Sequence, residues 1–183
     1  MICISTPRLS LRPFSEQDAP ETLAAITEGL TRFMNWEPPS SPEEFFHVWR
    51  AWIPAMEAGS QFYFVIRAAS ELIGLAGLHR LDEGQPELGI WIKETAQGQG
   101  YGYEAIAALM EWAAHKFGLS AFIWPVASEN AASRALAEKL GGTLVGTYHR
   151  TKYAGVIYRI PAFGEIQTDP LSRINSTESQ PAR

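Results

Sequence analysis

Stretches in which apolar and polar residues alternate recur along the chain, and each predicts a β-strand. The first, around "RLSLRPF", predicts an edge strand over residues 4–13. Two later runs flank a short polar turn at Ala69-Ser70, which is the arrangement of a hairpin. The predicted strands are residues 4–13, 62–67, 71–81, 86–92 and 120–126, followed by a final pair in "TLVGTYHRT" and "VIYRI".

Apolar residues at helical spacing predict four helices between these strands. Asp18 is expected to supply the capping oxygen of the first helix, and Pro54 to kink or end the second early. The fourth runs from Ser128 to Leu140 and stops at Gly141-Gly142. The apolar stripes of the first three are Leu23, Ile26 and Leu30; Phe45, Trp49, Trp52 and Met56; and Ile106, Leu109, Met110, Ala113 and Phe117.

The order of these elements predicts an α/β fold with a mixed sheet and one parallel crossover. The chain has 183 residues, which fits one domain, and we place that domain at residues 1–165. Residues 166–183 carry no apolar periodicity and are predicted to form a flexible tail.

Composition and charge narrow the class of partner. The net charge is −5 with a pI near 5.4, which argues against a nucleic-acid binder with a broad basic face. No apolar run approaches the roughly 20 residues that span a bilayer. A lone cysteine, Cys3, excludes an internal disulfide and favours a cytoplasmic location; we expect it to be a small buried apolar residue.

The most informative stretch is "QGQGYG", Gln97 to Gly102, where a predicted strand meets a predicted helix. Unpaired N–H groups and the helix dipole attract anions there, and glycines let an anion approach the backbone. A dinucleotide fingerprint would need a glycine at Tyr103 and an acid about 20 residues on, and a nucleotide P-loop would need Lys and Ser/Thr. The turn has none of these, so neither fits.

The spacing Q-x-x-G-x-G resembles the acetyl-coenzyme A pyrophosphate loop of the GCN5-related N-acetyltransferase (GNAT) superfamily. Three further segments agree: residues 6–19 ("TPRLSLRPFSEQDA") resemble the start of its RimJ/RimL branch, "ELGIWI" its pantetheine strand, and "NAASRALAEKLGG" (130–142) its second motif. The resemblance implies a twisted, mostly antiparallel sheet of six to seven strands, splayed at its centre after a bulge and flanked by about four helices.

The resemblance also implies which residues bind acetyl-CoA. Pantetheine would lie along the strand 88–92, where an N–H near Ile90 or Trp91 would stabilise the thioester oxyanion. Asn130 has two interpretations, a pantetheine contact and a plain helix N-cap, and both can hold. The implied cofactor-binding residues are Leu88, Ile90, Trp91, Ile92, Gln97, Gly98, Gln99, Gly100, Tyr101, Gly102, Tyr103, Asn130 and Ser133.

Amide formation needs a base for the amine and an acid for the leaving thiolate. Glu87 is the candidate base; its alternative is an exposed charge at a strand end. Many superfamily members carry a tyrosine acid seven residues after the motif asparagine, where this chain has Ala137. Ser133 is the substitute that the RimL-like branch suggests, its alternative being a helix-surface serine; Tyr148 and Tyr153 have no spacing argument. The histidines lack metal-ligand spacing, so we expect no metal.

The acceptor amine stays open at this point. One hypothesis is the N-terminal α-amine of a ribosomal or other protein; the second is a small amine such as a polyamine, amino acid or antibiotic. The third is a non-catalytic acyl-CoA-binding module. Phe33 and Trp36, in the loop up to Glu44, are candidate substrate contacts together with Glu87, and we expect a monomer or homodimer.

Overall fold

The computed structural model describes residues 2–162, which form eight strands and six α-helices. The strands are β1 (Ile4–Ser5), β2 (Leu9–Pro13), β3 (Phe62–Ala68), β4 (Glu71–His79), β5 (Glu87–Ile92), β6 (Ala121–Ala127), β7 (Thr143–His149) and β8 (Ala154–Pro161). The helices are α1 (Ala19–Ala25), α2 (Glu28–Thr31), α3 (Pro42–Trp49), α4 (Trp52–Glu57), α5 (Tyr101–Phe117) and α6 (Ala131–Lys139). The predicted tail lies outside the described residues.

The N-terminal segment differs from its prediction as one edge strand. A turn between Thr6 and Leu9 divides it, because the Leu9 N–H donates to the Thr6 hydroxyl and the Thr6 N–H to the Leu9 carbonyl, each at 2.9 Å. β1 lies at the sheet edge, whereas β2 is an inner strand between β1 and β3. Cys3, expected to be buried, is exposed.

The first predicted helix is shorter than its apolar stripe suggested. α1 ends at Ala25, since Ile26 is extended, and Leu30 belongs to the separate helix α2. The capping role expected for Asp18 is also wrong. Its buried carboxylate instead accepts hydrogen bonds from Arg12 and from the Ser15 backbone and hydroxyl.

The aromatic helix over residues 45–56 is interrupted as Pro54 predicts. α3 ends at Trp49 and α4 begins at Trp52. Pro54 has no N–H for the carbonyl of Arg50, so a continuous helix would leave that carbonyl unpaired. The interruption turns α4 so that Trp52 stacks on Tyr63, with ring centroids 4.3 Å apart.

The strands form one sheet in the order β1-β2-β3-β4-β5-β6-β8-β7. Every neighbouring pair is antiparallel except β5 and β6, which are parallel and joined by the crossover helix α5. The predicted mixed α/β class is confirmed. The sheet has eight strands rather than six to seven because the N-terminal segment contributes two.

Each face of the sheet carries its own core. Under one face, α5 buries a stripe that includes Ile106, Leu109 and Met110, all fully inaccessible. Over the other face, α1 to α4 pack aromatic side chains, among them Phe45 and Trp49. From Gly74 to His79 in β4, and throughout β5, even-numbered residues point to the α5 core and odd-numbered ones face the helices α1 to α4. The register shift at the start of β4 reverses this order for Leu72 and Ile73.

The sheet separates between β5 and β6, which share a single paired position, Glu87 with Ile123. The Ile123 N–H donates to the Pro86 carbonyl at 2.8 Å. Ile123 and every second residue after it in β6 therefore direct their backbone N–H and C=O groups towards β5. The next such residue is Pro125, which has no N–H to continue the ladder. The expected bulge is absent from β5, whose pairing with β4 is regular. Pro125, rather than a bulge, ends the parallel pairing.

Candidate active site

A cleft of about 770 Å³ opens where the two half-sheets separate. It runs over β4 and β5, beneath α1 to α4, and passes through the gap to the first turn of α6. The cleft brings together eight residues that the sequence singled out; these are Phe33, Trp36, Glu87, Leu88, Ile90, Trp91, Asn130 and Ser133. Ile92, the last residue of β5, and residues 97–103, which follow that strand, lie outside it.

Glu87 stands at the one paired position of the gap, on the face that lines the cleft. Its side chain is only 28% exposed and lies 3.7 Å from the guanidinium of Arg80. Burial raises the pKa of Glu87, and the charges of Arg80 and Arg150 oppose that rise. A half-buried carboxylate with a raised pKa is suited to accepting a proton.

Ser133 is held at the other side of the gap. Its backbone N–H donates to the Asn130 side-chain oxygen at 3.1 Å, so Asn130 is the N-cap of α6. The indole N–H of Trp124 donates to the Ser133 hydroxyl oxygen, also at 3.1 Å. Because that oxygen already accepts a hydrogen bond, its own hydrogen is free to be donated elsewhere in the cleft. No sequence signal connected Trp124 with Ser133.

Ala137 occupies the position at which many superfamily members carry a tyrosine, and that position is inaccessible from the cleft. Ala137 is fully buried in the core beneath the sheet and does not line the cleft. Tyr148 and Tyr153 do line it, with ring centroids 6.3 Å apart. Burial, followed by the neighbouring Tyr153, raises the pKa of Tyr148, which makes it a weaker acid than an exposed tyrosine.

A lysine bridges the two loops that face each other across the cleft. Lys152, between β7 and β8, donates to the Thr31 carbonyl at 3.1 Å and pairs with the Glu37 carboxylate at 2.6 Å. It thereby joins the loop that carries Phe33 and Trp36 to the loop that carries Tyr153. Two loops that line the cleft are therefore joined by this side chain.

The glycine turn keeps its backbone accessible. Residues 97–100 are exposed, and Gly98 and Gly100 have φ values of +74° and +80°, which favour glycine. A Cβ at Gly98 would meet no atom within 4 Å. The side chain of Gln97, expected to face the pyrophosphate, donates to the Ile92 carbonyl at 2.8 Å and so fixes the turn to the end of β5.

Arg8 is an unpredicted neighbour of this turn. Its guanidinium donates to the Gln99 carbonyl at 2.9 Å and pairs with Glu104 in the first turn of α5. Glu104 also accepts from the Thr6 hydroxyl at 2.6 Å. The N-terminal motif thus contacts the start of α5, placing one cation beside the exposed amides.

The chain belongs to the acetyltransferase (GNAT) family. A family model described as "Acetyltransferase (GNAT) domain" matches residues 8–143. This match confirms the predicted family, the predicted enzyme class and acetyl-CoA as the acetyl donor. A search of the curated proteins found no match.

Solved structures show the same fold at low identity. RimL, described as a ribosomal L7/L12 alpha-N-protein acetyltransferase in complex with coenzyme A, matches with a TM-score of 0.80 and 22% identity over 87% of this chain and 98% of its own. An acetyltransferase of Salmonella typhimurium, described as modifying the N-terminal serine of L7/L12, matches with a TM-score of 0.78 and 23% identity. The match covers 87% of this chain and 99% of that enzyme's own. The microcin C7 self-immunity acetyltransferase MccE matches with a TM-score of 0.74 and 17% identity over 85% of this chain and 93% of its own.

The described residues contain neither a membrane-spanning helix nor a cluster of metal ligands. Within residues 2–162 no helix is long and apolar enough to cross a membrane. In the same part of the chain, no group of three or more His, Cys, Asp or Glu residues is placed to hold a metal ion.

Proposed function

We propose that this enzyme acetylates the N-terminal α-amine of a protein, with a ribosomal protein as the leading class of acceptor. The observation that carries the proposal is the gap at Pro125, which opens a strand edge between Glu87 on one side and Ser133 on the other. Similarity in fold to RimL supports the choice of acceptor. The acceptor and the cytoplasmic location that it implies are part of the proposal.

The residues present fit acetyl-CoA, which supplies an acetyl thioester. The exposed amides at Gly98 and Gly100, beside Arg8, are suited to its diphosphate. The edge of β5 that Pro125 leaves unpaired offers backbone groups to the two amides of the pantetheine arm. The Lys93 N–H donates to the Ile73 carbonyl, so the register pairs the Trp91 backbone with β4 and turns the Ile90 N–H towards the gap. We assign the stabilisation of charge on the thioester oxygen to the N–H of Ile90.

Proton transfer requires one group to receive a proton from the amine and one to supply a proton to the thiolate. As the C–N bond forms and the C–S bond breaks, Glu87 takes the proton from the amine, directly or through water. The hydroxyl of Ser133, whose oxygen accepts from Trp124, donates the hydrogen that the sulfur takes up. The proton held by Glu87 then returns through water to the Ser133 oxygen, so that both groups end in their starting states. An α-amine with a pKa near 7.7–8.0 needs less help from Glu87 than a lysine near 10.4.

The bridge at Lys152 favours a second candidate, a small amine. An extended protein chain needs an open groove, whereas Lys152 joins two loops that line the cleft. The carboxylates of Glu44 and Glu87, together with aromatic side chains, line the cleft and are suited to a compact cationic amine. The third carboxylate of the lining, Glu37, is already paired with Lys152. This candidate differs from the first only in the acceptor, not in the chemistry.

Initial rates on two panels of acceptors test the proposal. One panel holds peptides that begin with serine or another small residue, and the other holds polyamines, amino acids and aromatic amines. We expect turnover on the peptides; turnover confined to small amines would transfer the proposal to the second candidate. Each peptide is paired with its N-terminally blocked form, so that acetylation of an internal lysine is recognised. Lysine acetylation alone would contradict the α-amine assignment.

A further inference from the structure

His79 occupies the floor of the cleft beside the proposed base. It is the residue paired directly with Glu87 across β4 and β5, so both side chains lie on the same face of the sheet. Gly77 and Gly89, paired with each other, come next on that face. A Cβ at Gly77 would lie 2.2 Å from the Nε2 of His79, and one at Gly89 would lie 3.7 Å from it. These two glycines leave the space that the imidazole occupies.

The Nδ1 of the His79 ring is fixed by a hydrogen bond to the side chain of Gln61. The Nδ1 of His79 lies 3.1 Å from the side-chain oxygen of Gln61, which also accepts from the Tyr63 hydroxyl at 2.7 Å. An amide oxygen only accepts, so Nδ1 carries the hydrogen and Nε2 carries the lone pair. The Tyr63 ring packs edge-on to the imidazole at 5.1 Å, and Trp52 stacks on Tyr63. The ring is therefore fixed in both orientation and tautomer.

The other nitrogen is available to a ligand. His79 lines the cleft, and Nε2 has no hydrogen-bond partner among residues 2–162. Burial lowers the pKa of His79 to about 4, so the ring stays neutral at physiological pH. A neutral imidazole with a fixed lone pair accepts a hydrogen bond from an amine without repelling a positive charge.

We propose that the Nε2 of His79 accepts a hydrogen bond from the acceptor amine and orients the nitrogen lone pair towards the thioester carbon. This inference rests on the proposed function and adds an acceptor-binding residue to it. His79 neither gains nor loses a proton in the transfer; the amine proton goes to Glu87 as described above. The ring fixes the direction of one amine N–H and thereby limits the directions open to the amine lone pair.

Two substitutions separate the nitrogens of the ring. His79→Asn keeps a donor near the position of Nδ1 and removes the acceptor from the cleft, whereas His79→Gln places an amide oxygen near the position of Nε2. With a peptide that begins with serine, we expect His79→Asn to lower kcat/KM for the peptide roughly three- to tenfold at unchanged KM for acetyl-CoA. His79→Gln should recover most of that loss. Equal losses in both variants, or a matching loss of acetyl-CoA affinity, would mean that the ring is merely structural.

A second measurement does not require turnover. Long-range ¹H–¹⁵N NMR of the full chain, labelled at histidine, reads the tautomer of His79 directly. We expect Nδ1 to carry the hydrogen and the Nε2 signal to shift when the serine peptide is added; hydrogen on Nε2 would overturn the inference. A wild-type chain that acetylates no amine refutes the proposed function, whereas an active chain with the opposite tautomer refutes only the role of His79.

Discussion

A negative charge introduced at Gly98 should weaken acetyl-CoA binding by an amount that the structure allows us to estimate. Gly98 is exposed and a side chain there meets no atom within 4 Å, so Gly98→Glu adds charge without a clash. A carboxylate about 5 Å from a phosphate charge in water costs about 0.8 kcal/mol, and the diphosphate carries two charges. The sum, about 1.7 kcal/mol, corresponds to roughly 15-fold weaker binding.

Thermal unfolding measures this change. At acetyl-CoA concentrations near 100 times the wild-type Kd, the ligand stabilises the native state by about 2.7 kcal/mol, and 15-fold weaker binding lowers that to about 1.2 kcal/mol. For a chain of this size the ligand-induced rise in Tm should fall from about 8 °C to about 4 °C. Low salt is required, because these charges are exposed to screening.

Two matched variants isolate the electrostatic effect. Gly98→Gln has the same shape and the same backbone strain at φ +74° but no charge, and should bind almost as the wild type does. Gly84→Glu adds the same charge at another open glycine with φ +68°, outside the glycine turn, and should leave the Tm shift unchanged. If Gly98→Glu and Gly98→Gln lose equal affinity, or neither loses any, the diphosphate does not lie at this turn.

Three further predictions concern the gap, the base and stability. Pro125→Ala restores an N–H that can pair β6 with β5; amide exchange in β5 should slow and acetyl-CoA affinity should fall, and unchanged exchange would contradict our explanation of the gap. Arg80→Met removes a charge that opposes the raised pKa of Glu87, so the acidic limb of the kcat/KM profile should move to higher pH, whereas Arg80→Lys should leave it in place. Asp18→Asn should lower the free energy of unfolding by about 3 kcal/mol at pH 7, measured in urea. Burial raises the Asp18 pKa, but hydrogen bonds from Arg12 and Ser15 outweigh it and the net pKa is lowered. The difference should therefore shrink as pH falls below about 4, and a constant difference would refute this origin.

Local sequence patterns were sufficient for much of the fold. The hairpin of β3 and β4, the interruption before Pro54 and the end of α6 at Gly141 depend on neighbouring residues, and the structure has each of them. The first helix was predicted too long, because apolar residues continue at helical spacing through Ile26 and Leu30 although the helical backbone ends at Ala25. Asp18 misled because an acid before a helix is a typical N-cap, whereas here the two arginines Arg12 and Arg67 compete for its carboxylate.

Apart from Phe33 and Trp36, which belong to no motif, the candidate site was predictable only where a motif carries it. Glu87, Asn130 and Ser133 lie in sequence patterns, and the structure places all three in one cleft. Trp124 and His79 could not be found in this way, because their relevance depends on strand register and on contacts between distant segments. The register of β4 against β5 decides that His79 faces Glu87, and no local pattern fixes it.

The interruption of the sheet at Pro125 has a consequence for solubility. A sheet normally has two outer edges, but here β5 and β6 each present a further stretch of unpaired backbone in the interior of the molecule. Such edges invite pairing with other chains. In this chain α5 packs beneath these edges and α1 to α4 lie above the cleft that the edges border. A substitution that loosens either helical layer would therefore widen access to the unpaired strands. We therefore expect aggregation, rather than simple unfolding, to be the first failure of helix-destabilised variants.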